Sequence, residues 1–238
     1  MVDSLIYGGI NIHMKKIGII GAMQLEIDLL LEKIELSKEH EIAGFQFLTG
    51  EINGKEIVVT RCGVGKVNSA SCTQILINKF DVNCIINTGI AGSLREDVGI
   101  CDIVISTDVT HHDVRKAQMK NLFPFQETFN ACEKLKELAQ KVCELKNINH
   151  HCGRIVSGES FVKEKMVKET LIKEYSPACV EMEGSSVGHV SYINKIPFLI
   201  IRCISDNADE HASTTYEEFE EIAGKQSALV VLEMIKAL

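Results

Sequence analysis

The sequence predicts an α/β fold: one domain with a central mixed β-sheet flanked by helices. Short, continuously apolar runs alternate with stretches whose apolar residues recur at helical spacing, as expected of strands covered by helices on both faces. Asn53-Gly54 sits between two strand-like runs and calls for a tight antiparallel hairpin, so the sheet cannot be wholly parallel. Only three prolines occur in 238 residues, and no low-complexity linker divides the chain.

Each element follows from its local pattern. Lys16–Gly21 reads as a core strand, followed by a helix over 23–34 with Leu25, Leu29, Leu30 and Ile34 on one face. Phe45–Ile52 and Lys55–Arg61 form the hairpin. A helix is predicted over 68–79, and a fully buried strand over 84–88 that Gly89 ends. Strands follow over 102–109 and 153–158, with a helix between them over 130–145 that extends further at its front. A helix over 163–174, a strand over 178–183 and a helix over 184–194 come next. A strand over 197–205 and a closing helix over 216–238 complete the domain. Residues 111–129, with weak periodicity and a Phe123-Pro124-Phe125 knot, read as a long functional loop or a contact with a partner chain.

Composition narrows the function. A net charge of -8 argues against a nucleic-acid or anionic-membrane surface, which requires clustered Lys and Arg. The nine cysteines include no C-x-x-C pair, and Cys84, Cys101, Cys179 and Cys203 lie in apolar runs. They read as small buried hydrophobes in a reducing compartment. The adjacent pairs His111-His112 and His150-His151 point to opposite faces of any strand, which disfavours chelation. No run reaches ~18 apolar residues and no signal peptide is evident, so the expected location is cytoplasmic. Met14-Lys15-Lys16-Ile17 reads as a natural start, and Gly8-Gly9 can be spelled by a purine-rich ribosome-binding site. Residues 1–13 are therefore expected to be a leader or vector-derived segment, with 14–238 the domain.

Two stretches concentrate the chemistry. Val180-Glu181-Met182-Glu183-Gly184 and Ile200-Ile201-Arg202-Cys203-Ile204-Ser205-Asp206 put ionisable side chains at the ends of buried strands. Charge there is costly unless paired or used. Arg202 and Asp206, four residues apart, share a face of a regular strand, as an ion pair or as parts of a site. Glu181 or Glu183 can cap the helix from Gly184. Glu26, in the first turn after the first strand, is either a helix-dipole carboxylate or a functional one. Ligands of open α/β sheets bind at strand carboxyl ends, where these groups would meet. The glycines do not add a nucleotide fingerprint: Gly18-Ile19-Ile20-Gly21 lacks G-x-G-x-x-G, and Gly63-Val64-Gly65-Lys66-Val67 has neither phosphate-loop spacing nor its Ser or Thr.

Six pieces occur together: Ile17-Gly18-Ile19-Ile20-Gly21-Ala22-Met23 with Glu26, Gly63-Val64-Gly65-Lys66-Val67, Asn87-Thr88-Gly89-Ile90-Ala91-Gly92, Ser157-Gly158-Glu159-Ser160-Phe161, Val180-Glu181-Met182-Glu183 and Arg202-Cys203-Ile204-Ser205-Asp206. In order and spacing, the chain from about Lys15 onward resembles the 5′-methylthioadenosine/S-adenosylhomocysteine nucleosidases of the purine nucleoside phosphorylase superfamily. The resemblance implies a nucleoside phosphorylase-like fold and hydrolysis of the N-glycosidic bond of 5′-thio-substituted adenosines, with no metal or organic cofactor and a homodimer. It implies Glu26 as the base activating water and Asp206 as the acid protonating adenine N7, positioned by Ser205. Glu183 would hold the ribose hydroxyls over Met182, and Arg202 would orient the water and Glu183. Phe161 would stack on the base, the Val162 backbone would read its edge, and Tyr216 would cover the 5′ end. Met23, Ile90 and Glu181 complete the expected substrate contacts.

The chemistry is consistent with those roles. Adenine leaves poorly as an anion, so the acid must hold a proton, which needs a raised pKa. The base must be ionised on the opposite sugar face, a division that resembles inverting glycosidases. Two departures stand out. Ile90 replaces a serine often found near the water, and the segment after His112-Asp113-Val114 diverges, with Arg115 and Lys116 either solvated or facing a carboxylate on the substrate tail. Two other functions compete. A phosphorylase needs cations at the nucleophile position; residues 21–27 offer none, while Arg61 and Arg95 are unassigned. A non-catalytic nucleoside binder has no use for an acid and a base together.

Overall fold

The computed structural model describes residues 14–209 and 211–238. Of the first thirteen residues it describes only the backbone of two short strands, β1 (Leu5–Tyr7) and β2 (Ile10–Ile12), paired antiparallel with each other. The expectation that residues 1–13 form a leader therefore lies outside the described residues.

The main sheet has ten strands. β3 (Lys16–Gly21) lies between β6 (Lys55–Arg61) and β7 (Cys84–Ser93), parallel to both. β12 (Phe198–Asp206) runs parallel to β7, so the carboxyl ends of β3, β7 and β12 lie together. Their apolar runs are buried on both faces. Leu199, Ile201 and Cys203 of β12 pack in a core with α4 (Glu133–Leu145) and α7 (Ala212–Ala237). Phe198, Ile200 and Ile204 pack in the opposite core with α2 (Lys66–Phe80) and α6 (Gly184–Asn194). This α/β/α layering is what the continuous apolar runs predict.

Beyond β12 the sheet closes on itself. β8 (Ile103–His111) pairs antiparallel with β12, β10 (His150–Ser157) runs parallel to β8, and β11 (Cys179–Glu181) runs parallel to β10. β11 also pairs antiparallel with the end of β7, Cys179 opposite Ser93 and Val180 opposite Gly92. This closure carries Glu181, Met182 and Glu183 across the carboxyl ends of β7 and β12. A short β9 (Phe129–Asn130) pairs with β8.

β5 (Phe45–Ile52) and β6 form the expected hairpin with the expected bounds, Asn53 and Gly54 having φ of 51° and 74°. Several expectations are corrected. β4 (Glu35–Ile42) was not anticipated; it is an edge strand, mostly exposed and charge-rich, which conceals its period while blunting the edge. The helix expected over 23–34 is a 3-10 turn at Gln24–Glu26 followed by the single turn α1 (Asp28–Leu31). β7 does not stop at Gly89 but runs on to Ser93. α4 starts at Glu133, later than expected, because β9 takes up Asn130. α7 begins four residues earlier than expected, at Ala212. The expected loop over 111–129 contains α3 (Lys116–Asn121), and α5 (Lys165–Tyr175) follows β10.

Candidate active site

A cavity of about 370 Å³ opens at the joined carboxyl ends of β3, β7 and β12. Its wall includes Met23, Glu26, Ile90, Phe161, Glu181, Met182, Glu183, Ser205, Asp206 and Tyr216, ten of the twelve residues expected at the site. Val162 lies in an adjoining recess of about 20 Å³ shared with Phe161, Met182 and Asp206. Among the described residues no lysine or arginine lines the cavity.

Glu26 is fixed by backbone donors at the end of β3. Its Oε2 accepts N–H bonds from Ala22 at 2.6 Å and Met23 at 2.9 Å, and Oε1 accepts one from Ile90 at 3.2 Å. These back-bonds favour the tight turn found in place of the expected helix. Burial raises its pKa above the ordinary glutamate range, against the opposing pull of Arg202 and the three N–H donors. Gly89 permits this packing: a Cβ there would lie 2.7 Å from Glu26 Oε1 and 2.9 Å from Arg202 Nη1.

Arg202 was expected to touch the substrate and does not line the cavity. It is 1 % exposed and holds Glu181 instead: Nη2 and Nε (3.1 Å) both donate to Glu181 Oε2. Nη2 also donates to Asn87 Oδ1 at 2.6 Å and lies 3.6 Å from Glu183 Oε2. Asn87 is fixed in turn by donating to the Ile20 carbonyl at 2.8 Å. A buried arginine so surrounded compensates buried carboxylates, which would otherwise be costly.

Glu181 reaches the cavity wall, but its carboxylate is committed to protein groups. Besides Arg202, Oε2 accepts the Glu183 and Gly184 N–H groups at 3.1 and 2.7 Å, and Oε1 accepts the Ser157 hydroxyl. It thus caps α6, favourably placed against the helix dipole. Glu181 is better described as a support than as the substrate contact expected of it. Glu183, two residues on, lines the cavity and accepts the Gly65 N–H on Oε1 at 2.7 Å. Burial and the neighbouring Glu181 charge raise its pKa.

Asp206 lines the same cavity from the end of β12. Its Oδ1 accepts the Ala208 N–H at 2.8 Å and Oδ2 accepts the Ser205 hydroxyl at 2.9 Å. Burial raises its pKa, and the largest counterweights are these two hydrogen bonds. Regular alternation from Arg202 does not reach Asp206, because the β12–β7 register shifts between Ile204 and Asp206. The shared face inferred from spacing is therefore not the basis of its position.

At the mouth, Phe161 and Tyr216 meet edge to face with centroids 5.7 Å apart. Tyr216 donates its hydroxyl to Met23 Sδ at 3.3 Å. Ile90 keeps its side chain in the core and offers its N–H to Glu26. Sequence reasoning missed Val64, Ser213 and Glu217 on the wall, and the supporting Asn87 and Ser157. Of these, only Asn87 and Ser157, polar residues inside apolar strands, carried a readable signal.

The groups left open are resolved by position. Arg95 pairs with Asp97, Arg61 is exposed at the end of β6, and neither lines the cavity. Lys116 lies 3.6 Å from Glu174 and 3.6 Å from the Tyr175 ring centroid; neither it nor Arg115 lines the cavity. Among the described residues no group of three or more His, Cys, Asp or Glu could hold a metal ion, and no helix is long and apolar enough to cross a membrane.

Comparison with known proteins agrees with this geometry. Residues 16–236 match the family model described as the phosphorylase superfamily. The 5′-methylthioadenosine/S-adenosylhomocysteine nucleosidase of Staphylococcus carnosus is 42% identical over 230 residues, covering 93% of this chain and 100% of that one. The crystal structure of the Neisseria meningitidis 5′-methylthioadenosine/S-adenosylhomocysteine nucleosidase with methylthio-immucillin-A superposes with a TM-score of 0.89. It is 34% identical and covers 94% of this chain and 100% of that one. A structure of the futalosine hydrolase of Helicobacter pylori is equally similar, with a TM-score of 0.89, 35% identity and coverage of 94% and 99%.

Proposed function

The chain belongs to the phosphorylase superfamily and, within it, to the 5′-methylthioadenosine/S-adenosylhomocysteine nucleosidases, and from this we infer that it hydrolyses the N-glycosidic bond of both nucleosides, releasing adenine and the 5′-thio-substituted ribose. One observation supports hydrolysis over phosphorolysis: the cavity wall carries the carboxyl groups of Glu26, Glu181, Glu183, Asp206 and Glu217 and, among the described residues, no cationic side chain. Phosphate would be repelled there, whereas water is not.

In the mechanism we propose, Glu26 takes a proton from water as the water attacks the anomeric carbon. Asp206, carrying a proton, gives it to N7 as the bond to adenine breaks, so the base leaves neutral. Both carboxyl groups are buried and raised in pKa, a direction that favours a proton on Asp206 and makes Glu26 a stronger base than an exposed glutamate. Three N–H donors and the nearby Arg202 charge favour the ionised form of Glu26. Glu183, with one oxygen tied to Gly65, binds the ribose hydroxyls, and the growing positive charge on the sugar is favoured by these carboxylates. Phe161 stacks on adenine, Val162 presents backbone to its edge, and Met23 and Tyr216 cover the 5′ end. A homodimer is part of the proposal, supported by the exposed apolar residues Leu122, Phe123 and Phe125.

A chromatographic assay tests this. Methylthioadenosine and S-adenosylhomocysteine are expected to give free adenine at a rate independent of phosphate. Futalosine is the third substrate to offer, given the likeness to a futalosine hydrolase. A ribose 1-phosphate product would overturn the hydrolytic reading, and nucleoside binding without turnover would make the chain a binder.

A further inference from the structure

Asp113 is absent from the cavity wall, yet it holds two loops that belong to it. One is the 62–65 connection between β6 and α2, whose Gly65 N–H secures Glu183. The other is the 158–164 connection between β10 and α5, which carries Phe161 and Val162. Asp113 Oδ1 accepts Lys66 Nζ at 2.5 Å, and Asp113 Oδ2 accepts the Glu159 N–H at 3.0 Å. Glu159 completes the ring, its Oε1 accepting the Lys66 N–H at 2.9 Å.

The three residues thus form a closed clasp between consecutive backbone anchors. Gly65, at φ of 101°, leaves room for it; a Cβ there would lie 2.7 Å from Glu159 Oε2. The Lys66 and Asp113 side chains are 16% and 29% exposed, so their contact is better shielded than an ordinary surface pair. Burial works against the Asp113 charge, but Lys66 and the Glu159 N–H outweigh it and hold the carboxyl below its ordinary range.

We infer that Asp113 is a positioning residue that ties together the two loops gripping the nucleoside, one at its sugar and one at its base. This rests on the roles proposed above for Glu183 and Phe161. Asp113 touches neither the reacting bond nor the acid and base, which sit on other elements. Loosening the clasp therefore weakens the grip on the nucleoside more than the chemical step.

The test is a kinetic cycle on the full chain with methylthioadenosine, using D113A, K66M and the double variant. Each single variant is expected to raise KM about five- to tenfold, with kcat lowered less than about twofold. The double variant should be no worse than D113A, because both changes open the same clasp. D113E, which keeps the charge, should recover part of the KM. Thermal unfolding checks that each variant is folded. A folded D113A with unchanged KM overturns the inference, as does a loss confined to kcat or effects of D113A and K66M that multiply. If the wild-type chain releases no adenine, the nucleosidase reading fails separately. The clasp is then read by calorimetric affinity for intact methylthioadenosine, and equal affinity of wild type and D113A overturns it.

Discussion

The corner around Glu26 and the corner around Asp206 start from the same physical problem and solve it differently. Each buries a carboxyl group at the carboxyl end of a strand, and in each burial is the largest influence, raising the pKa. The counterweights differ. Glu26 has three backbone N–H donors and faces a buried guanidinium. Asp206 has one backbone N–H and one hydroxyl that can turn, and Lys168, the cation that acts on it, is its weakest influence. Burial raises both, and the surroundings differ: the donors and guanidinium around Glu26 favour its ionised form more than anything around Asp206 does, which is the direction a base and an acid require.

The sharpest way to break this comparison is to remove each charge in turn. E26Q and D206N are each expected to lower kcat by about 10²- to 10⁴-fold while methylthioadenosine binding survives. Single-turnover adenine release and calorimetric binding measure the two effects separately. Full activity in either variant would remove the assigned role. A second change strikes the cation that distinguishes the corners. R202M leaves Glu181 and Glu183 buried without their counter-charge and should cost about 3–5 kcal/mol of stability in urea unfolding. A change below ~1 kcal/mol would mean that the guanidinium contributes no more than an exposed ion pair does.

The same asymmetry has a signature in pH. Glu26 must be ionised, so activity falls as pH drops through its raised pKa. Asp206 must be protonated, so activity falls as pH rises through its own. Stability carries the sign of a raised carboxyl: the folded state binds that proton more tightly, and its advantage is lost as pH rises from the unfolded value through the folded one. D206N removes a buried charge and should melt higher than wild type at pH 8 by a few degrees, with the gap closing toward pH 4. A gap that grows toward acid pH would show that the native aspartate is favoured ionised, against the direction of its shift.

What was legible in the sequence follows from the range of the forces involved. The Asn53-Gly54 hairpin and the bounds of α6 rest on local backbone preference and came through unchanged. Arg202 was legible as an anomaly, a charge in the apolar run of β12. Its partner was not, because the contact with Glu181 depends on β11 crossing back onto β7, a long-range closure without local pattern. Met23–Ile34 was misread because its apolar spacing fits a helix, while the turn is shaped by the Glu26 carboxylate bonding back to Ala22 and Met23. β4 was missed because its exposed residues, Glu35 to Glu39 among them, carry no alternation.

The smallest expected effect is also the most specific probe of the Asp206 corner. Ser205 donates its hydroxyl to Asp206 Oδ2, an interaction that favours the ionised carboxylate and so opposes the effect of burial. Removing it in S205A should leave Asp206 easier to protonate, since only the Ala208 N–H remains among the hydrogen-bond donors. The alkaline limb of the kcat profile should therefore move upward while the acid limb, set by Glu26, stays in place. At pH 7 kcat should change less than about tenfold, because one hydrogen bond is lost and the acid remains. A downward move of the alkaline limb would mean that Ser205 stabilises the protonated form instead, by accepting its proton. A shift of the acid limb would mean that the two corners are coupled, and that the separation between base and acid is held jointly rather than at each corner.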